Sequence, residues 1–153
     1  MVDKLAWSVI TVSVLIGLSP FIADEVLLKK DTITFETKVN VTPSREVNGT
    51  YAQVGVDPGK NLDFGRLPAD LALTKFVNVT APNRTIITIT ESGNISDQLY
   101  INDTQFYFEG RRKVSMRLNA TETGFYTGEV TINAERPRNK WGQRWLDIKY
   151  RFY

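Results

Sequence analysis

From Thr32 onward the chain alternates apolar and polar residues with a period of two. In TITFETKVNVT, Ile33, Phe35, Val39 and Val41 share one parity; Thr34, Glu36, Lys38 and Asn40 share the other. Successive side chains of a strand point to opposite faces, so the pattern predicts a half-buried strand with Asn40 on its solvent face. The same reading predicts strands over 32–42, 51–56, 62–64, 75–80, 85–90, 98–101, 106–108, 113–118, 126–133 and 144–152. The breaks between them carry turn residues: NGT, DPGK, APN, SGN, EGR, TGF and RPRNKWG. One helical turn fits 68–73. The final segment alternates most cleanly, with Leu146, Ile148, Tyr150 and Phe152 on one face and Trp145, Asp147, Lys149 and Arg151 on the other. Many short strands with polar turns and no long amphipathic helix predict an all-β sandwich over 32–153.

The first residues follow another rule. Leu5 to Ala23 is a run of nineteen residues without a charge, flanked by Lys4 and by Asp24-Glu25. As a helix it measures about 28 Å, close to the hydrocarbon thickness of a bilayer. Trp7 sits near one end, where indole rings favour the interface, and Pro20 predicts a kink or stop near the other. A cleaved leader has a shorter apolar core and a small-x-small site, whereas here Phe21 stands where a small residue is wanted. The expectation is a signal anchor or transmembrane helix over 1–23, a linker over 24–31, and one domain over 32–153.

Asn-x-Ser/Thr explains which side of the membrane that domain occupies. It occurs at Asn40, Asn48, Asn78, Asn83, Asn94, Asn102 and Asn119, which are seven of the ten Asn, and no middle residue is Pro. Ser and Thr make up about 15% of the chain, so about one or two such triplets are expected by chance. Asn40, Asn78 and Asn102 lie on solvent parities beside inward apolar residues, Asn48, Asn83 and Asn94 lie in turn-like runs, and Asn119 ends the alternating VSMRLN. These seven are the candidate N-glycosylation sites, and N-linked glycans require a translocated domain. The predicted location is the cell membrane, single-pass, with the C-terminal domain extracellular.

Composition narrows the chemistry. The chain has no Cys and no His, which removes thiolate and imidazole nucleophiles, the usual zinc sites and disulfides. An extracellular chain without Cys points to a prokaryotic surface. Net charge is +2, too balanced to predict a nucleic-acid partner. Carboxylates show no catalytic spacing. Asp57, Asn61 and Asp63 flank PGKN, but they lack the alternation and terminal Glu of a calcium loop and read as a solvated turn. No enzyme, metal or cofactor is expected. Two basic clusters remain. Arg111-Arg112-Lys113 follows a turn and reads as a solvated edge. Arg136, Arg138, Lys140 and Arg144 surround Trp141 in a stretch that no sequon reaches, and these five residues are the candidate partner-binding surface. They would suit an acidic protein, a glycan or anionic headgroups.

The segments VGVDPGKNLDFGRLP, KFVNVT, TIITIT and YINDTQFYFEGRRKVSMRLNATETGFYTGEVTI resemble the immunoglobulin-like module of the Hydin and abnormal-spindle type, found in surface proteins of archaea and bacteria. The likeness rests on Leu62–Pro68, the Phe-rich strand before Glu109-Gly110, the alternation of Val114, Met116 and Leu118, and TGFYTGEVTI, and it covers about residues 54–133. It implies an immunoglobulin-like β-sandwich and a structural role. Gly65, Gly124 and Gly128 would serve turns or bends. Tyr126 would bury its ring at a sheet corner and bond the backbone with its hydroxyl.

The expected function is therefore a non-enzymatic, membrane-anchored cell-surface glycoprotein of archaeal type, a structural or adhesive subunit of an envelope assembly. Its expected partners are membrane lipid, N-linked glycans and other envelope or filament proteins, including copies of itself. An alternative is a secreted filament subunit joined by donor-strand exchange, resembling the TasA-like bundling-pilus proteins, with 25–41 as the donated strand. Another is an accessory subunit resembling the sandwich-bearing stator proteins of the archaellum.

Overall fold

The computed structural model describes residues 22–43 and 61–151. In chain order these form β1 (Leu28–Thr42), β2 (Asn61–Pro68), β3 (Ala72–Gly93), β4 (Leu99–Ile101), β5 (Gln105–Asn119), β6 (Gly124–Pro137) and the helix α1 (Lys140–Arg151). Residues 22–27 are helical and lead directly into β1. Strands make up 68% of the described residues, in one mixed six-stranded sheet of order β2-β1-β6-β3-β5-β4. Among the described strands only the β1–β2 pairing is parallel.

The alternation of β1 places its inward face where the sequence predicts. Thr37, Val39 and Val41 are buried and Phe35 is half-buried, while Ile33, on the same parity, is 57% exposed near the start of the strand. β1 begins at Leu28, inside the segment read as a linker, because Leu28 through Val41 pair continuously with β6. The predicted strand over 51–56, Asp57, Asn48 and most of the apolar run 5–23 lie outside the described residues. Among the described residues, no helix is long and apolar enough to cross a membrane.

Several predicted turns are bends inside long strands. APN does not separate two strands; β3 runs through it, with a register shift against β5 between Ala81 and Thr85. Ala81 pairs with Gly110, whose φ of +94° suits glycine, so the EGR signal marks the facing bend in β5. The bend changes the neighbours of β3. Its first half pairs with the second half of β5, and its second half, from Ile86, also pairs with β6.

The sheet therefore folds over its own apolar face. Leu62, Phe64 and Leu67 of the edge strand β2 share one core with Val77 and Ile89 of β3, Val114, Met116 and Leu118 of β5, and Val130 of β6. The Lys75 ammonium of β3 reaches the backbone carbonyl of Asp63 in β2 and lies 5.3 Å from the Phe64 ring centroid. Burial pulls the Lys75 pKa below the usual lysine value, against the opposing pull of Asp63. In place of a helical turn at 68–73 there is a tight turn at Ala69-Asp70, held by bonds from Ala69 N to Thr42 O (2.8 Å) and from Asp70 N to Ala120 O (2.7 Å). Gly93 and Gly128 sit back to back. A Cβ on Gly128 would lie 2.0 Å from the Ser92 carbonyl oxygen, so this crossing admits no side chain.

The C-terminal segment corrects the sequence reading. Residues 144–152 do not form a strand; Lys140–Arg151 is a helix. Asn139 caps it, its Oδ1 accepting the Gly142 N–H at 2.8 Å. Gly142 and Leu146 are buried and Trp145 and Lys149 are half-buried, a spacing of three and four that puts one helical stripe against the sheet. Leu146 packs with Leu28 and Ile86 in a small second core. The residues read as the inner face of a strand are thus divided: Leu146 is fully buried, and Ile148 and Tyr150 are 48% and 40% exposed.

Candidate functional site

α1 is held by three sets of contacts. At its start, Arg138 N donates to Leu27 O (2.9 Å) and Arg138 Nε donates to Leu28 O (2.8 Å). Gly142 touches residue 27 so closely that a Cβ there would stand 2.3 Å from the Leu27 carbonyl oxygen. Along its middle, Tyr107 of β5 donates to Asp147, Gln143 Nε2 donates to the Tyr107 hydroxyl at 2.8 Å, and Arg84 stands 3.6 Å from Asp147. Burial, reinforced by Asp147, pushes the Tyr107 pKa up; the Tyr107 bond holds the Asp147 carboxyl below the usual range. The Tyr107 and Tyr150 rings pack with centroids 4.9 Å apart.

The third set centres on Asp24. Trp145 Nε1 donates to Asp24 Oδ1 at 2.7 Å, and Lys149 Nζ donates to Asp24 Oδ2 and to Glu135 Oε2, both at 2.7 Å. The Lys149, Asp24 and Glu135 side chains are only 17–22% exposed. Burial penalises the Asp24 charge, but the Lys149 and Trp145 bonds outweigh it and hold the carboxyl below its ordinary value. Burial likewise disfavours the Lys149 ammonium, and its two carboxylate partners raise it above the ordinary lysine value. Sequence reading missed this cluster. Asp24 reads as the end of an apolar run, and Lys149 as the polar parity of a strand.

The five predicted partner-binding residues separate into two groups. Arg136, in β6, is half-buried and ion-paired with Asp31 of β1, and Arg138 is tied to the Leu28 carbonyl. Lys140, Trp141 and Arg144 lie on α1, turned away from the sheet. Trp141 is 67% exposed, and the Arg144 guanidinium sits 5.2 Å from its ring centroid. With Ile148 and Arg151 they make one exposed stripe, at positions 140, 141, 144, 148 and 151. The helix's one acid, Asp147, borders the stripe: its carboxylate accepts from Tyr107 and feels the charge of Arg151.

Five of the six described sequon asparagines are exposed; Asn40 is half-buried. Asn94 accepts the Thr127 N–H through Oδ1 at 2.7 Å, and Asn119 accepts from Arg117 Nε through Oδ1 at 3.0 Å, so neither bond uses the amide nitrogen that carries a glycan. Asn102 uses both ends, accepting from Ser115 N and donating to Asp103. Asn83 stands beside Pro137, Arg138, Lys140 and Gln143, so a sequon distant in sequence borders the start of α1. The rest of the helix's outer stripe has no sequon among its residues. The second basic cluster lies on β5. Arg112 pairs with Asp103 at 2.9 Å and covers the Phe106 ring at 4.4 Å, and Lys113 covers the Phe76 ring at 3.7 Å.

Among the described residues, no group of three or more acidic, His or Cys side chains is placed to hold a metal ion. Comparison with protein-family models, curated proteins and solved structures finds no match to the chain.

Proposed function

We propose that the chain is a membrane-anchored cell-surface glycoprotein, with the apolar run Leu5–Ala23 in the bilayer and the β domain outside. It acts as a structural or adhesive subunit of a surface assembly. The observation that carries this reading is the placement of the sequons: seven occur where about one or two are expected, and five of the six described are exposed. The bend of β3 and the shared core of β2 and β5 support reading the sheet as an immunoglobulin-like sandwich. So does the Tyr126 hydroxyl, which donates to Glu122 O at 3.2 Å, four residues upstream, as a tyrosine corner does. The donor-strand alternative is less well supported. β1 is paired within its own chain on both sides, with β6 over its length and with β2 from Glu36 to Thr42.

Glycopeptide mapping of the native protein tests the proposal. The expected result is hexose-bearing mass at Asn78, Asn83 and Asn94 and an N-terminal peptide beginning at Met1 or Val2. Unmodified asparagines in a host that glycosylates its surface proteins would remove the reading. A mature start near Asp24 would favour the secreted filament subunit.

A further inference from the structure

Among the described residues the outer stripe of α1 has no partner, and two observations bear on what covers it. The first is its chemistry. Lys140, Arg144 and Arg151 carry positive charge, Trp141 and Ile148 supply exposed apolar surface between them, and the one acid at the border, Asp147, is held by Tyr107. An amphipathic helix with basic, indole and aliphatic groups on one face is complementary to an anionic headgroup layer, which accepts cations at the phosphates and apolar groups just below.

The second is position. Trp145 and Lys149 both bond the carboxylate of Asp24, the residue immediately after the apolar run. At about 1.5 Å per residue, Asp24 lies within about 2 Å of the end of that run. The contacts also run antiparallel: residue 27 meets Arg138 and Gly142, and residue 24 meets Trp145 and Lys149. The C-terminal half of α1, with Ile148 and Arg151, is therefore the part nearest the run. Ile22 and Val26, one helical turn apart and 56% and 60% exposed, add apolar surface beside it; Glu25 is the exposed acid of that segment.

We infer that the outer stripe of α1 rests on the anionic surface of the bilayer that the apolar run enters, and so fixes the tilt of the β domain over the membrane. The inference rests on the anchored reading above. Ile148 lies deepest, at the level of the glycerol backbone, Arg151 and Arg144 meet lipid phosphates, and Trp141, about 10 Å back along α1, stands at the outer edge of the headgroup layer. Asn83 borders the start of α1, the end farthest from the run, so a glycan there stays clear of the membrane-facing end.

The chain has no Cys, so one introduced thiol gives one label. Full-length Ile148→Cys and, as a remote control, Phe125→Cys (63% exposed in the wild type) are spin-labelled and reconstituted into vesicles of phosphatidylcholine alone or with phosphatidylglycerol. Accessibility to oxygen and to a nickel chelate is read by power saturation after flotation. The expected result is loss of nickel accessibility at 148 in phosphatidylglycerol vesicles, reversed by Arg144→Glu with Arg151→Glu, while position 125 stays aqueous. Protein that floats with vesicles but keeps 148 as aqueous as 125 overturns the inference and leaves the anchored reading intact. Protein that does not float overturns both. Equal protection in neutral vesicles rules out the anionic surface, and dipolar broadening between labels at 148 assigns the stripe to a second copy of the chain instead.

Discussion

Replacing Gly142 by Ala tests the docking of residues 22–27 on α1 through the sign of its effect. In an unencumbered helix the change stabilises by up to about 1 kcal/mol, because Ala restricts the unfolded chain and suits the helix. Here the new Cβ would stand 2.3 Å from the Leu27 carbonyl oxygen and 3.3 Å from Pro137 Cα, both backbone atoms. The first contact is about 1 Å inside ordinary van der Waals distance, and neither atom can rotate away. Relieving it means moving the 22–27 segment off the helix, which strains the Trp145–Asp24 and Lys149–Asp24 bonds. Overpacking of this kind costs about 1–3 kcal/mol, so the net effect is a destabilisation of about 0.5–2 kcal/mol. For a chain of this length, at about 2–4 °C per kcal/mol, that lowers Tm by roughly 1–8 °C. Thermal melts of the purified full chain, followed by circular dichroism, measure it. A Gly142→Ala variant with an unchanged or higher Tm would mean that residue 27 does not pack on α1, and the antiparallel contact would fall with it.

Other changes report on the same end of the molecule. Leu146→Ala, at a fully buried side chain packed on Leu28 and Ile86, is expected to cost about 2–5 kcal/mol by chemical denaturation; an exposed position would lose under about 0.5 kcal/mol. Asn139→Ala removes the cap from α1 and is expected to cost about 1 kcal/mol, with Asn139→Asp recovering most of it. The Asp24 carboxyl titrates below its unfolded value of about 3.9, so its contribution is complete above that pH and is lost as pH falls through the lower folded value. Lys149 titrates above its unfolded value of about 10.4, so its contribution is complete below that pH and is lost as pH rises through the folded value. The stability difference between wild type and Asp24→Asn, measured from Tm against pH, should be flat across neutral pH and shrink as pH falls below the unfolded value of about 3.9; a difference that does not shrink on acidification would contradict the assigned bonds.

The strand content was legible because one face of each strand is buried. In β1 the inward parity of Val39 and Val41 survives from sequence to structure, while Ile33 on the same parity is exposed. The long strands were not legible, because Pro82-Asn83 and Gly110 look like chain reversals in sequence. Their role as facing bends appears only when Ala81 is set opposite Gly110. The helix escapes the sequence pattern for a different reason. Leu146, Ile148 and Tyr150 alternate over too few residues to separate a period of 2 from one of 3.6. The discriminating signals were the Asn139 cap, Gly142, and the scarcity of β-branched residues from 140 to 151, where Ile148 stands alone. The basic cluster was found by composition, yet its division depends on pairing: Asp31 and the Leu28 carbonyl hold Arg136 and Arg138, and only the helix presents Lys140, Trp141 and Arg144 outward. The Asp24–Lys149 contact joins residues 125 apart in sequence, and no local pattern announces it.

The central claim is that the β domain lies outside the cell. Phe125→Cys supplies the sole thiol of the chain at an exposed site in β6, and intact cells can be treated with a membrane-impermeant maleimide. An exterior domain predicts full labelling of intact cells, with no further gain on lysis. Labelling that appears only after lysis would place the domain in the cytoplasm and contradict the account.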